Sequence, residues 1–196
     1  MIAFIEGELV EKSPAYVVVN CSGVGYMIHI SLNTFSKIPD SGTVKLHTSM
    51  IVREDAHTLY GFATQEEKNL FKNLITVSGV GPNTARMILS SMTVEEVSGS
   101  IVSGDASALQ SVKGIGAKSA QRIVVDLKDK LGKESYVSQE NLIPSDNTLR
   151  EEALTALVML GYNKPIAQKT INQILKKNAG VKLTVEQLIK EALKYS

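Results

Sequence analysis

Two glycine-rich triads of the same form lie in the middle of the chain, Gly79-Val80-Gly81 and Gly114-Ile115-Gly116. Each triad stands between apolar residues at helical spacing, so each is expected to join two helices. The first glycine can take the left-handed conformation that ends a helix, and the second leaves the next helix's first amides without an overlying side chain. Free N–H groups at a helix N-terminus attract anions. The triads therefore predict two phosphate-binding turns.

The triads are part of a longer repeat in which equivalent residues are always 35 positions apart, since 114 minus 79 is 35. The equivalent pairs are Leu74 and Leu109, Val77 and Val112, Gly79 and Gly114, Val80 and Ile115, Gly81 and Gly116, Thr84 and Ser119, Ala85 and Ala120, and Ile88 and Ile123. Two helix-hairpin-helix motifs in tandem are typical of proteins that bind the DNA backbone without regard to base sequence. A pair of ordinary helix turns with glycine caps is the alternative.

Polar side chains on the following helices extend the predicted phosphate contact. The predicted phosphate-binding residues are Gly79, Val80, Gly81, Asn83, Thr84, Arg86, Gly114, Ile115, Gly116, Lys118, Ser119 and Arg122. Lys118 and Arg122 favour the second motif, whereas Asn83 occupies a position of the first where a basic residue would help. Residues 65–133 hold nine lysines and arginines against seven acids, a surplus of two. Because this surplus is small, binding is expected to depend on directed amide contacts.

A third triad, Gly23-Val24-Gly25, provides an internal comparison. Val17-Val18-Val19 precedes it and Tyr26-Met27-Ile28 follows it, and both runs are rich in residues that favour strands. This triad is therefore predicted to form a β-turn without a phosphate site.

The elements around the motifs change from strands to helices along the chain. Strands are predicted at 2–10, 15–21, 26–30, 43–52 and 58–62, with a short helix at 31–36. This order favours a small barrel of the OB-fold type, with a five-stranded sandwich as the alternative. Capping boxes, in which Thr and Glu or Gln side chains satisfy the first amides of a helix, begin at Thr64, Thr93 and Thr184.

We therefore predict a multidomain α+β protein. Its expected parts are an OB-fold barrel at 1–63, an all-α tandem helix-hairpin-helix domain at 64–132, a flexible linker at 133–146 and a three-helix bundle at 147–196. Helices of the bundle are expected at 149–160, 165–176 and 185–194. Leu157, Leu160, Ile171, Ile174 and Leu188 are open to two interpretations, core or contact surface.

Composition excludes several classes of protein. Cys21 is the only cysteine, so an internal disulfide or a cysteine-based metal cluster is excluded, and a cytoplasmic location without a membrane span is expected. Helix-hairpin-helix motifs also occur in glycosylases, ligases and nucleases. However, Asp126 and Asp129 are expected to be solvated, and His29, His47 and His57 lack acids at metal-ligand spacing. We expect neither catalysis nor a cofactor or metal.

The sequence resembles the RuvA family of bacterial Holliday junction proteins over nearly its whole length. The resemblance rests on both triads and on the segments 1–7, 23–26, 53–56, 59–62 and 152–162. It implies an OB-fold first domain, a tandem helix-hairpin-helix second domain and a mobile third domain. It further implies a homotetramer whose concave face holds the four arms of a junction, in one copy or in two that sandwich the DNA.

The resemblance also implies partners and an acidic site. Residues 147–196 would contact a RuvB-type hexameric ATPase during recombination, DNA repair and the SOS response, and a RuvC-type resolvase is a further possible partner. Glu54 and Asp55 would form an acidic pin that separates strands at the crossover. Without the family these two acids would be a solvated hairpin turn. A general scaffold that binds duplex DNA is the alternative function.

Overall fold

The computed structural model describes residues 2–140, 146–178 and 183–194. Within these ranges, side chains are described except at residues 133–148 and 151. The chain forms two compact units, Met1–Ser135 and Tyr136–Ser196. The first unit contains a barrel followed by helices, and the second contains helices. The predicted domain bounds inside these units stay a prediction.

Five strands close into a barrel in the order β1-β2-β3-β5-β4. The strands are β1 (Phe4–Lys12), β2 (Tyr16–Cys21), β3 (Val24–Ile30), β4 (Thr43–Val52) and β5 (His57–Phe62), and helix α1 (Leu32–Lys37) lies between β3 and β4. Strands β3 and β5 pair in parallel and the other pairs are antiparallel. This confirms the OB-fold prediction and excludes the sandwich.

The barrel forms because apolar residues alternate along its strands and point inward. Val17 and Val19 of β2 and Ile28 and Ile30 of β3 are fully buried. Strands β2 and β3 are joined by a two-residue turn in which Ser22 (φ 53°) and Gly23 (φ 92°) have positive φ. The third triad therefore lies in a β-hairpin, as the sequence predicted.

Five helices follow the barrel and share one core with its last strand. They are α2 (Gln65–Leu74), α3 (Pro82–Ser91), α4 (Val94–Ser103), α5 (Ala106–Gln110) and α6 (Ala117–Glu140). Tyr60 and Phe62 of β5 pack on Phe71 of α2, with ring centroids 5.1 and 4.9 Å apart. The barrel and the helical hairpins are therefore joined by buried aromatic contacts.

A buried carboxylate makes a second connection between barrel and helices. Glu67 of α2 is 1% exposed and accepts hydrogen bonds from the hydroxyls of Ser31 and, at 2.8 Å, Thr34. Each hydroxyl in turn accepts a backbone N–H, from Thr34 at 2.9 Å and from Ala63 at 3.1 Å. The buried carboxylate therefore accepts two hydrogen bonds, and each hydroxyl donor in this network has an acceptor.

This network corrects one prediction about the start of α2. Thr64 does cap the helix by accepting from the Glu67 N–H, but the Glu67 side chain does not return to Thr64. Its carboxylate is directed to α1 instead, so only half of the predicted capping box forms there. The boxes at Thr93 and Thr184 form completely.

The start of the predicted linker is helical. Helix α6 runs to Glu140, eight residues into the segment 133–146 that was predicted to lack regular structure. Lys133, Glu134, Gln139 and Glu140 are good helix formers and can propagate a helix that is already nucleated, despite the cost of Gly132. Residues 141–145 lie outside the described part of the chain.

The second unit contains three helices around its own core, as predicted. They are α7 (Asp146–Met159), α8 (Lys164–Lys177) and α9 (Val185–Ala192). Of the five residues left open between core and surface, Leu157, Ile171, Ile174 and Leu188 are buried, whereas Leu160 is 61% exposed. Among the described residues, no helix is long and apolar enough to cross a membrane.

We predict that Glu67→Ala lowers the free energy of unfolding by about 2–3 kcal/mol, because it leaves the buried Ser31 and Thr34 hydroxyls without acceptors. Glu66→Ala, one position earlier and exposed, should cost about 0.5 kcal/mol or less. Chemical unfolding of the full chain followed by circular dichroism measures both. Equal losses for the two variants would contradict a structural role for the buried carboxylate.

Candidate nucleic-acid interface

The two glycine triads form hairpins with the same hydrogen bonds. In the first, the Val80 N–H donates to the Val77 carbonyl (3.0 Å) and the Ala85 N–H donates to the Gly81 carbonyl (2.9 Å). In the second, Ile115 donates to Val112 (3.1 Å) and Ala120 donates to Gly116 (3.0 Å). Donors and acceptors are thus shifted by the same 35 positions as the sequence repeat (115 minus 80). The repeat in sequence is a repeat in backbone structure.

The apolar residue at the centre of each triad fixes the hairpin to the core. Val80 is 5% exposed and Ile115 is 6% exposed, in one continuous apolar cluster. Ala85 and Ala120 are fully buried and permit close packing of the helices that follow. The glycines on either side of each apolar residue are therefore held at the surface in a defined position.

The two glycines of each triad differ in their backbone conformation. Gly79 and Gly114 have φ angles of 90° and 92°, which side chains disfavour. Gly81 and Gly116 have no positive φ, and a Cβ atom added at either would meet no protein atom within 4 Å. Nothing inside the protein demands glycine at these two positions, so the space above them is available to an external group.

The amides beneath that space lack internal acceptors. Gly81 is the N-cap of α3 and makes no side-chain cap, and Pro82 at the first helical position has no N–H to satisfy. First-turn N–H groups have no acceptor within their own helix, and they carry the positive end of its dipole. Gly116 likewise has no side chain with which to cap α6. Each hairpin can therefore donate backbone hydrogen bonds to an anion.

Side chains of the second hairpin supplement these amides. Lys118 and Arg122 are exposed and one helical turn apart on α6, and Lys113 is exposed before the triad. Within the described residues, no carboxylate lies within 4 Å of any of the three cations. Ser119 is partly buried beside them. The second hairpin thus combines free amides with unpaired positive charge.

Side chains of the first hairpin are directed to the barrel instead. The Asn83 Oδ1 accepts a hydrogen bond from the Tyr60 hydroxyl at 3.2 Å. The Arg86 guanidinium donates to the carbonyls of Ile30 (3.2 Å) and Ala15 (3.4 Å). The barrel carbonyls thus engage one nitrogen of the guanidinium, Nη1, and phosphate binding by Arg86 stays a prediction. Thr84 stays partly exposed near the open amides.

The far end of α3 is also bound to the barrel. The Asn33 side-chain amide of α1 donates to the carbonyls of Leu89 (2.7 Å) and Met92 (2.8 Å). These contacts were not predicted, since nothing in the spacing of a single Asn indicates a distant helix end. Together with Arg86, they hold the first hairpin at a fixed place on the barrel.

Two side chains near Arg86 have shifted pKa values. Burial lowers the pKa of His29 below its ordinary value, and the positive charge of Arg86 lowers it further. Burial raises the pKa of the Tyr60 hydroxyl, against the opposing charges of Arg86 and Arg53. Both side chains are therefore neutral at neutral pH and act here through hydrogen bonding and packing.

The acidic pair Glu54-Asp55 lies at the tip of the β4–β5 hairpin. The turn is closed by the Arg53 N–H, which donates to the Ala56 carbonyl at 2.9 Å, and both acids are exposed. Asp126 and Asp129 are also exposed, on α6. Within the described residues, no group of three or more His, Cys, Asp and Glu side chains converges as metal ligands would.

Comparisons with known proteins cover both units. Residues 1–61 match the family model described as RuvA N terminal domain, residues 71–129 match a SAM-like helix-hairpin-helix tandem, and residues 148–196 match RuvA, C-terminal domain. Similar proteins named Holliday junction branch migration complex subunit RuvA occur in several bacteria. That of Christiangramia forsetii is 53% identical and that of Cytophaga hutchinsonii 48% identical, over 99% and 100% of both chains respectively.

We predict that serine has opposite effects at the two glycines of the second triad. Gly114→Ser should lower the free energy of unfolding by about 1–2 kcal/mol, because its φ of 92° strains any side chain. Gly116→Ser should leave stability unchanged or raise it by up to about 1 kcal/mol, because serine is a favoured N-cap. Urea unfolding of both full-length variants is the measurement, and equal destabilisation would contradict this division of roles.

Proposed function

The chain belongs to the RuvA family, and we propose that it binds four-way Holliday junction DNA through backbone phosphates, as one subunit of a branch migration complex. The observation that carries the proposal is the pair of hairpins with identical hydrogen bonds and open glycines at Gly81 and Gly116. Two such sites in one rigid core can contact two phosphates at a set separation.

The chemistry of the hairpins favours recognition of DNA shape over base sequence. Backbone amides donate to phosphate oxygens, which carry no sequence information. The proposed phosphate-binding set is Gly79, Val80, Gly81, Asn83, Thr84, Arg86, Gly114, Ile115, Gly116, Lys118, Ser119 and Arg122. Within this set Asn83 is a neutral amide. Val80 and Ile115 are buried, so they contribute their backbone.

We propose that Glu54 and Asp55 act as an acidic pin. Carboxylates at an exposed hairpin tip repel phosphates, so they disfavour an uninterrupted duplex at that place. In a homotetramer, the assembly that we propose, four copies would surround the crossover and favour separated strands. Their exposure at the end of β4 supports this role.

We further propose that the second unit binds the motor of the complex, a RuvB-type hexameric ATPase. The unit presents apolar side chains beside the α7–α8 turn, with Met159 84%, Leu160 61% and Ile166 61% exposed. Exposed apolar residues close together in sequence on so small a unit favour a protein contact. A RuvC-type resolvase is a further proposed partner.

The chain itself is proposed to be non-catalytic. Its solvated Asp126 and Asp129 do not form the buried acidic pocket of a glycosylase. Gly114 to Ser119 follow a helix rather than the strand of a nucleotide-binding loop, so ATP hydrolysis is assigned to the partner. A scaffold that binds any duplex equally is the alternative that the following experiment separates.

We predict that the chain binds an immobile four-way junction at least about tenfold more tightly than a linear duplex of equal length at moderate salt. The double variant Gly81→Ser and Gly116→Ser should lose at least about tenfold in affinity for both DNA forms, since serine covers the donating amides. A gel-shift titration measures the affinities, with unfolding curves confirming that the variant is folded.

A variant without the two acids of the pin is measured in the same titration. Glu54→Gln with Asp55→Asn should preserve or raise affinity for both forms while reducing the preference for the junction. Equal wild-type affinity for junction and duplex would refute junction binding, and a uniform loss of binding in the pin variant would refute the pin.

We predict that Met159→Ser with Ile166→Ser weakens binding of a RuvB-type ATPase at least about tenfold while junction affinity stays unchanged, because apolar surface is removed only at the α7–α8 turn. Pull-down and titration with the purified ATPase measure the loss. Lys169→Ser, exposed on α8, is the matched control and should bind normally. Unchanged ATPase binding by the double variant would assign the contact to another surface.

A further inference from the structure

A groove of about 280 Å³ lies between the barrel and the first hairpin. The β4–β5 hairpin contributes Arg53 and Asp55, the barrel contributes His29 and Tyr60, and the start of α3 contributes Gly81 and Asn83. The groove thus extends from the tip turn of the acidic hairpin to the open amides of the first glycine triad. Neither the two hairpins nor the acidic pair by itself assigns a function to this groove.

The two hairpins differ in charge at the positions that the repeat makes equivalent. Lys118 of the second hairpin corresponds to Asn83 of the first, because 118 minus 83 is 35, and Arg122 corresponds to Met87 (122 minus 87). Arg86 is bonded to barrel carbonyls and does not line the groove. The helix α3 therefore brings no cation to this groove.

Arg53 supplies a cation at this place from a different element. Among the described residues that line the groove, Arg53 is the one permanent cation, since His29 is neutral at neutral pH. Within the described part of the chain, its guanidinium has no hydrogen-bonded acceptor and no carboxylate within 4 Å. Its charge nevertheless acts on the Tyr60 hydroxyl, which lies beside Asn83.

We propose that Arg53 binds a DNA backbone phosphate in this groove together with the first amides of α3, supplying the cation that α3 does not bring to the groove. The inference deepens the proposed function and rests on it. A guanidinium and backbone amides converging on one phosphate form charge-assisted hydrogen bonds, which are stronger than neutral ones. Asp55, on the same groove, confines the phosphate to the side of α3 by repulsion.

The position of Arg53 gives the β4–β5 hairpin two opposite effects on DNA. Its exposed acids repel backbone, and its arginine, in the same tip turn, attracts backbone next to the first hairpin. Strands that part at the acidic tip would thus meet a cation directly beside it. The attraction and the repulsion are within a few residues of each other, so the hairpin directs a strand as well as excluding a duplex.

The test is a charge exchange between the barrel and α3. Full-length Arg53→Gln should lower affinity for the four-way junction about fivefold or more at low salt. It should also reduce the slope of log affinity against log salt by about one for each phosphate that is no longer neutralised. Arg53→Gln combined with Asn83→Lys should recover most of both, because the lysine restores the cation at the position of Lys118. Lys37→Gln, an exposed lysine on α1, is the charge-matched control and should change neither.

Each outcome distinguishes this inference from the function on which it rests. Failure of the wild-type chain to prefer a junction would remove the proposed function, whatever Arg53 does. If the wild-type chain prefers the junction but Arg53→Gln changes neither the affinity nor the salt slope, only the role of Arg53 is overturned. A loss of affinity with an unchanged slope, or one that Asn83→Lys does not recover, would also overturn it, since it would indicate altered structure rather than the removal of a cation from a phosphate.

Discussion

The structure of the first unit depends on polar side chains that form hydrogen bonds where the barrel meets the helices. Glu67 accepts two hydroxyls of the α1 segment, Arg86 donates to two barrel carbonyls, and Asn33 donates to two carbonyls at the end of α3. Removing the hydroxyl partners of the buried Glu67 would leave its carboxylate without hydrogen bonds, which is costly. The bonds of Arg86 and Asn33 connect the first hairpin and the end of α3 to the barrel in addition to apolar packing.

These contacts between the barrel and the helices explain why the two hairpins have the same backbone structure but different side chains. Both have the same turn and the same open glycine before the following helix. Only the first must also pack against the barrel, so Asn83 and Arg86 make contacts within the protein while Lys118 and Arg122 stay exposed. Arg53 of the β4–β5 hairpin lines the groove beside Gly81 and Asn83, so a neighbouring element places a positive charge near the first hairpin.

Local patterns predicted most of the fold. Alternating strands, helix caps and the 35-residue offset (114 minus 79) specified the barrel, the helices and both hairpins, because each is determined by near neighbours in the chain. Glu67 was misassigned although it lies on the apolar stripe of Leu70, Phe71 and Leu74 at helical spacing, since its place in a capping box gave it a local explanation. Arg86, Asn33 and Arg53 have partners or neighbours far along the chain, which spacing does not reveal.

The shared offset also has a consequence for tolerance to substitution. The two hairpins have equal spacing in sequence and in hydrogen bonding, and they share one apolar core. Asn83 and Arg86 of the first hairpin bond to the barrel, so replacing either removes an intramolecular contact. Lys118 and Arg122 of the second hairpin are exposed, with no carboxylate within 4 Å in the described part of the chain, so replacing them removes no ion pair there.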